Sequence, residues 1–182
     1  SEAEKVLEEL KKLLRDLEET SKRVLREIRE LLKEAREKSK RLLDRLRKLA
    51  RDLKELVRRD GPVDEAIRRV KEELERLSRE HRKMVEEIKR RLEELHKRHK
   101  KKLEDIRKTL DDIKKELERT NLPKEVLDRI KRLLEEIERE LERSNKELED
   151  LLRKIEEDLE RSHRELEKLI REILKELEDA RK

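Results

Sequence analysis

The chain of 182 residues has no cysteine, phenylalanine, tryptophan or tyrosine, and only one glycine and two prolines. Without cysteine it forms no disulfide and offers no thiolate to a metal. Without aromatic rings it has nothing to stack on nucleic-acid bases, so any core must be aliphatic. No apolar run approaches the roughly 18 residues that a membrane-spanning helix needs. The first residues, Ser-Glu-Ala-Glu-Lys, lack the apolar core of a signal peptide.

Charge is what the sequence has in excess, since 59% of the residues are Asp, Glu, Lys or Arg, against about 25% in ordinary globular domains. The 56 basic and 51 acidic residues are interleaved and leave a net charge of +5. Interleaved signs favour solubility over a nucleic-acid interface. A chain this polar is also open to a disordered interpretation, which the spacing of its apolar residues argues against.

Apolar residues recur at a fixed interval of 18 along the chain, as Leu10, Ile28 and Leu46 illustrate. Eighteen residues make five turns at 3.6 residues per turn, the period of an undistorted α-helix. A heptad repeat has a period of 3.5 and would impose a left-handed supercoil. The pattern therefore predicts straight, nearly untwisted helices that each bury one side.

Two breaks divide the periodic sequence. Asp60-Gly61-Pro62 contains the only glycine, which suits a left-handed residue after a helix end, and Pro62 stops the helix. Thr120-Asn121-Leu122-Pro123 is the second break, and Pro123 suits the first turn of a new helix. Short connections make successive helices antiparallel. We therefore predict an all-α, antiparallel up-down-up three-helix bundle with an 18-residue layer repeat, as one domain over 1–182, with helices at about 2–59, 63–119 and 123–180.

A few polar residues interrupt the apolar seams. Residues at one height have numbers with a constant sum in antiparallel helices and a constant difference in parallel ones. On this rule the polar residues of all three helices fall at two heights, 18 residues or about 27 Å apart. Layer 1 is predicted to contain Thr20, Ser21, His96, His99, Ser144 and Asn145. Layer 2 is predicted to contain Ser39, Ser78, His81, Ser162 and His163.

Burying polar groups is costly unless they bond to one another. Neutral histidine has one donor and one acceptor, and Ser, Thr and Asn supply both kinds. Each layer therefore has the composition of a closed hydrogen-bond network. Because such a network forms only when the helices are in register, we expect the layers to specify helix alignment.

Several features together resemble computationally designed parametric helical bundles. They are the 18-residue repeat, the near-equal helices, the loops Asp-Gly-Pro and Asn-Leu-Pro, and a surface saturated with Glu, Lys and Arg. Layers such as Ser144-Asn145 with His99 resemble the buried hydrogen-bond networks built into that class. The resemblance covers the whole chain. It implies a hyperstable designed scaffold without natural biochemical activity, a soluble protein with no targeting signal, such as a recombinant cytoplasmic product. The sequence itself leaves the compartment open.

Other functions remain open at the histidines. Burial would keep them neutral, so acid would destabilise the fold and make a pH-responsive bundle. A metal site would use His96 and His99, spaced i, i+3, or His81 with His163, but no buried Asp or Glu is expected beside them. Hence we expect no metal and no cofactor.

Catalysis and partners receive less support. Ser144 beside His99 has the residue types of a nucleophile and its base, but a filled core gives substrate no access, so we expect no enzyme. The basic run from His96 to Lys102 is flanked by acidic residues and is interpreted as a solvated face. We expect a monomer that requires no partner, neither nucleic acid nor membrane. A homo-oligomer, or pairing with a further helix, is the alternative.

Overall fold

Three long α-helices account for nearly all of the structure. The computed structural model describes residues 2–59 and 63–181. Helix α1 spans Glu2–Arg58, α2 spans Val63–Arg119 and α3 spans Lys124–Arg181. These bounds agree with the predicted ones to within one residue, which is the usual uncertainty of a helix end. The predicted break at Asp60-Gly61-Pro62 lies outside the described residues.

The second break ends α2 through its side chains. The Thr120 hydroxyl lies 3.3 Å from the carbonyl oxygens of both Glu116 and Leu117 and donates to this last turn. The Leu127 amide donates to the Pro123 carbonyl at 3.0 Å, the first hydrogen bond of α3. Pro123 thus lies just before the helix rather than in its first turn, because its carbonyl already belongs to the helical ladder while the residue itself flanks it.

The chain divides into two compact units, each of which draws on all three helices. Unit 1 takes in the described residues up to Arg29 together with Leu92–Arg153. Its core joins the beginning of α1 to the end of α2 and the beginning of α3, so α2 runs antiparallel to the other two. The buried residues of this core are Leu10, Leu17, Leu103, Ile106, Leu110, Ile113, Ile130, Leu134, Ile137 and Leu141.

Unit 2 takes in the described residues of Glu30–Arg91 and those from Lys154 onward. Here the later part of α1 meets the beginning of α2 and the end of α3, which again makes α2 the antiparallel helix. Its buried core consists of Leu42, Leu46, Leu53, Ile67, Leu74, Leu77, Leu166, Ile170, Ile173 and Leu177. All of these residues are aliphatic, as a chain without aromatic residues requires.

The predicted all-α, up-down-up three-helix bundle is confirmed. Straight, untwisted helices and a single domain over 1–182 stay predictions. No helix in the described part of the chain is both long and apolar enough to cross a membrane.

Candidate functional site

Four of the polar residues predicted to lie in the layers are buried. They are His81, His99, Ser144 and His163, each with at most 8% of its surface exposed. The remaining predicted members are half-buried: Thr20, Ser21, Ser39, Ser78, His96, Asn145 and Ser162. The enclosed residues come from α2 and α3, and α1 contributes half-buried hydroxyls.

In layer 1, three side chains from three helices form a hydrogen-bonded chain. Ser21 on α1 lies 2.7 Å from Ser144 on α3, oxygen to oxygen. The Ser144 hydroxyl lies 3.2 Å from Nε2 of His99 on α2. The Ser144 hydroxyl therefore links the other two helices at this height.

The other predicted members of layer 1 do not join this chain. Within the described residues, no side-chain hydrogen bond links Thr20 to it, and three buried polar atoms have no partner: Nε2 of His96, Nδ1 of His99 and Oδ1 of Asn145. Nε2 of His96 is 3.9 Å from a carboxylate oxygen of Glu149, too long for a hydrogen bond. The hydrogen-bonded chain of layer 1 thus leaves one ring nitrogen of its own member His99 unsatisfied, with two further unsatisfied atoms on His96 and Asn145.

In layer 2 the chain is longer and includes a carboxylate. The Ser39 hydroxyl on α1 lies 2.9 Å from Nε2 of His81 on α2. Nδ1 of His81 lies 2.9 Å from Nδ1 of His163 on α3. Nε2 of His163 lies 2.8 Å from Oε1 of Glu167, one turn further along α3. Both nitrogens of both rings therefore have a partner.

The two imidazole rings of layer 2 meet edge to edge. Their planes are within 14° of parallel and their centroids are 5.1 Å apart. With the Nδ1 atoms 2.9 Å apart, that separation leaves about one ring radius on either side, so the contact runs along the line joining the ring centres. Rings stacked face to face would lie closer together. The lone pair of a ring nitrogen lies in the ring plane, so this is the geometry of an N–H···N hydrogen bond.

One arrangement of protons satisfies layer 2 when both rings are neutral. An ionised carboxylate only accepts, so His163 must carry its proton on Nε2. Its Nδ1 then accepts, and His81 must donate from Nδ1. Nε2 of His81 is left as an acceptor for the Ser39 hydroxyl. The donors therefore all point the same way, from Ser39 towards Glu167.

Two predicted members of layer 2, Ser78 and Ser162, form no side-chain hydrogen bond to this chain within the described residues. Glu167 is absent from the predicted layer because it lies off the apolar seam, with 42% of its side chain exposed. Its spacing was the available signal, since residues i and i+4 face each other on a helix. Glu149 follows Asn145 at the same i, i+4 spacing.

Burial keeps two of the histidines neutral at physiological pH. Loss of hydration lowers the pKa of His81 to about 4, with smaller contributions from His163 and the Arg82 guanidinium. The pKa of His99 is also lowered, first by burial and then by Lys102 and His96. In both cases a protonated ring would be poorly hydrated and would face other positive groups.

The geometry gives little support to a metal site, to Ser–His catalysis or to a nucleic-acid interface. Among the described residues, no three His, Cys, Asp or Glu side chains are grouped so as to hold a metal ion. Ser144 is bonded to His99, and only 8% of the residue is exposed. The five Lys and Arg residues from Lys97 to Lys102 are exposed.

These elements define the class of protein: an all-α three-helix bundle with polar side chains buried between its helices. No protein-family model and no curated protein matches the chain. A solved structure described as a computationally designed three helix bundle matches with a TM-score of 0.65. The match covers 99% of this chain and 93% of that one, at 21% sequence identity. At that identity the match concerns the fold, and the predicted resemblance to designed three-helix bundles is confirmed at this level.

Proposed function

We propose that the protein is a designed structural scaffold, a monomeric bundle without natural biochemical activity whose two polar layers specify the register of its helices. One observation carries the proposal. Each hydrogen-bonded chain joins side chains of all three helices: Ser21, His99 and Ser144 in layer 1, and Ser39, His81 and His163 in layer 2. A group that only filled space or capped one helix would not need a partner on both others.

The physical basis is the cost of burying unpaired polar atoms. Leucine seams tolerate a shift of one turn, because one apolar side chain replaces another. A shifted layer would instead place a ring nitrogen or hydroxyl against leucine, at about 1–3 kcal/mol for each unsatisfied group. A few such groups per layer distinguish the correct register from its neighbours.

Spin-label distances test this proposal directly. The chain has no cysteine, so Arg26→Cys and Glu93→Cys place two labels at exposed positions of α1 and α2 in unit 1. A one-turn shift moves one label by about 5 Å along its helix. We expect one narrow distance distribution for the labelled protein.

The test variant removes both layers, through Ser21→Ala, His99→Leu and Ser144→Ala in layer 1 and Ser39→Ala, His81→Leu and His163→Leu in layer 2 of the labelled chain. We expect a broadened distribution or a second distance, since no buried polar group of these two hydrogen-bonded chains then penalises a shifted register. The matched control is Ile137→Leu, an aliphatic exchange in the same core that should leave the distribution narrow. An unchanged distribution in the layer variant would mean that loops and apolar packing alone set the register.

An acid-responsive bundle is the second candidate, favoured by the lowered pKa values of His81 and His99. Protonation of these rings in the unfolded chain would draw the equilibrium away from the folded state as pH falls. Circular dichroism during acid titration tests it, with a variant in which all four histidines are Asn as the comparison. Superimposable unfolding profiles would rule out histidine as the cause.

A further inference from the structure

The ends of the hydrogen-bonded chain in layer 2 differ in what they accept and donate. The Ser39 hydroxyl at one end is able to donate or accept, and the Glu167 carboxylate at the other end accepts only. Between them, each imidazole is able to hold its proton on either nitrogen. If it gains one proton, this hydrogen-bonded chain can therefore reverse direction at Ser39 and between the rings without losing a hydrogen bond.

We propose that the His81–His163 pair is a one-proton site, which takes up a single proton while the three helices stay paired and excludes a second. This inference rests on the proposed pairing of the helices at layer 2 and concerns how that site is regulated by pH. It goes beyond general acid destabilisation, because it separates a proton that the fold accommodates from one that it does not.

The first proton comes from solvent and forms an N–H bond at Nε2 of His81. The Ser39 hydroxyl turns from donor to acceptor. Within the Nδ1···Nδ1 contact, the proton moves from His81 to His163, breaking one N–H bond as the other forms. His163 is then an imidazolium with Nε2 2.8 Å from Glu167, and His81 is neutral again. The net change is one proton gained, and every contact still pairs a donor with an acceptor.

A second proton cannot be added to the pair without breaking the contact between the two rings. It would put N–H groups on both Nδ1 atoms, facing each other at 2.9 Å, and two cationic rings side by side. The contact would have to break, and with it the link between α2 and α3. Consistent with this, the pKa of His81 is lowered to about 4, with His163 among the causes. Such a pair titrates in two separate steps.

The charged groups around the pair favour a single positive charge on the α3 side. On α3 the pair faces Glu167, and Glu160 lies nearby, where it binds Arg82 at 2.9 Å and also Lys89. On α2, Arg82 is adjacent to His81 and opposes its protonation. On α1 the pair meets the Ser39 hydroxyl, and the neighbouring Lys38 is paired with Glu34 at 3.3 Å.

Layer 1 lacks these features. Nε2 of His99 is bonded to Ser144, its Nδ1 has no partner, and the charges that act on it come from Lys102 and His96, which both oppose protonation. A proton on His99 therefore has no carboxylate hydrogen-bonded to the ring. The first tolerated proton belongs to layer 2.

Nitrogen-15 NMR of the histidine rings in the full chain tests the proposal, since it distinguishes N–H from acceptor nitrogens. At pH 8 we expect His81 protonated on Nδ1 and His163 on Nε2. On acidification the pair should first gain one proton, with His81 acquiring N–H at Nε2, while circular dichroism stays that of the folded protein. Uptake of two protons in one step, or loss of helicity with the first, would overturn the proposal, as would Nε2–H on His81 at pH 8.

Glu167→Gln isolates the role of the carboxylate. It should lower the affinity of the pair for the first proton by about tenfold, because the amide carries no charge to stabilise the imidazolium. Glu165→Gln, an exposed carboxylate on the same helix, is the matched control and should change it little. Equal effects of the two variants would overturn the assignment of Glu167.

Cross-helix NMR contacts between Ser39 and His81 report separately on the register of the helices. If these contacts are absent, the proposed register fails. If they persist but the histidines have the wrong tautomers, the one-proton site alone fails.

Discussion

At the scale of single residues, the Ser144 hydroxyl connects side chains on both other helices, since it bonds to Ser21 and His99. Replacing it by alanine leaves two partners without their hydrogen bond, one of them a buried ring nitrogen. We expect Ser144→Ala to lower the free energy of unfolding by about 1–3 kcal/mol, measured by denaturant unfolding.

Ser162→Ala is the matched control for that experiment. Ser162 lies on the same helix and is half-buried, but it has no hydrogen bond to the layer 2 chain. Its replacement should change stability by no more than about 0.5 kcal/mol. Similar losses in both variants would show that helix propensity, rather than the hydrogen bonds, was being measured.

The lowered pKa of His81 determines whether stability rises or falls with pH. Its pKa is lowered from 6.5 to about 4 in the folded protein, so the unfolded chain binds a proton more readily between those values. Stability is therefore full above pH 6.5 and falls as pH drops towards 4, by roughly 3 kcal/mol for this residue. Urea unfolding at pH 7.5 and 4 measures the loss, and His81→Asn should reduce it. Equal losses with and without His81 would contradict this prediction.

At the scale of helices, burial on one side accounts for most of the stabilisation. Leu46 and Leu56 lie on α1 and differ in exposure, at 0% and 46%. We expect Leu46→Ala to cost about 2–5 kcal/mol, because it removes core contacts and leaves a cavity. Leu56→Ala should cost less than about 1 kcal/mol. Thermal and chemical unfolding compare the two directly, and comparable costs would contradict one-sided burial.

Much of this element-level structure follows from the sequence. The 18-residue recurrence of residues such as Leu10 and Ile28 predicts helices with one buried face, and Pro123 marks the start of α3 to within one residue. The hydrogen bonds within the layers were harder to predict, because the spacing of residues gives the height of a side chain along the bundle but not its rotamer. Asn145 sits at the same height as Ser144, yet only Ser144 reaches His99. Glu167 was missed since a half-exposed glutamate resembles every other surface glutamate until the direction of the His163 ring is known.

At the scale of the whole molecule, the surface argues for a monomer. Among the described residues, Leu56 is the one large apolar side chain classed as exposed, and a lone leucine offers little area to a partner. We expect light scattering to give a mass near 22.5 kDa over a wide range of concentrations. A stable dimer would instead favour a bundle that pairs with a second copy.

Each hydrogen-bonded chain draws on all three helices. Cutting the polypeptide into three peptides, one for each helix, therefore has a predictable consequence. The peptides of α1 and α2 alone would bring Ser21 and His99 together without the Ser144 hydroxyl that links them. In the same complex His81 would lack the ring of His163 as its partner. A complex of two peptides would leave open to water the apolar faces that meet the third helix, and it would lack the partners that the third peptide supplies to Ser21, His99 and His81. Reconstitution from fragments should therefore be ternary, with complete trimers of peptides dominating over pairs.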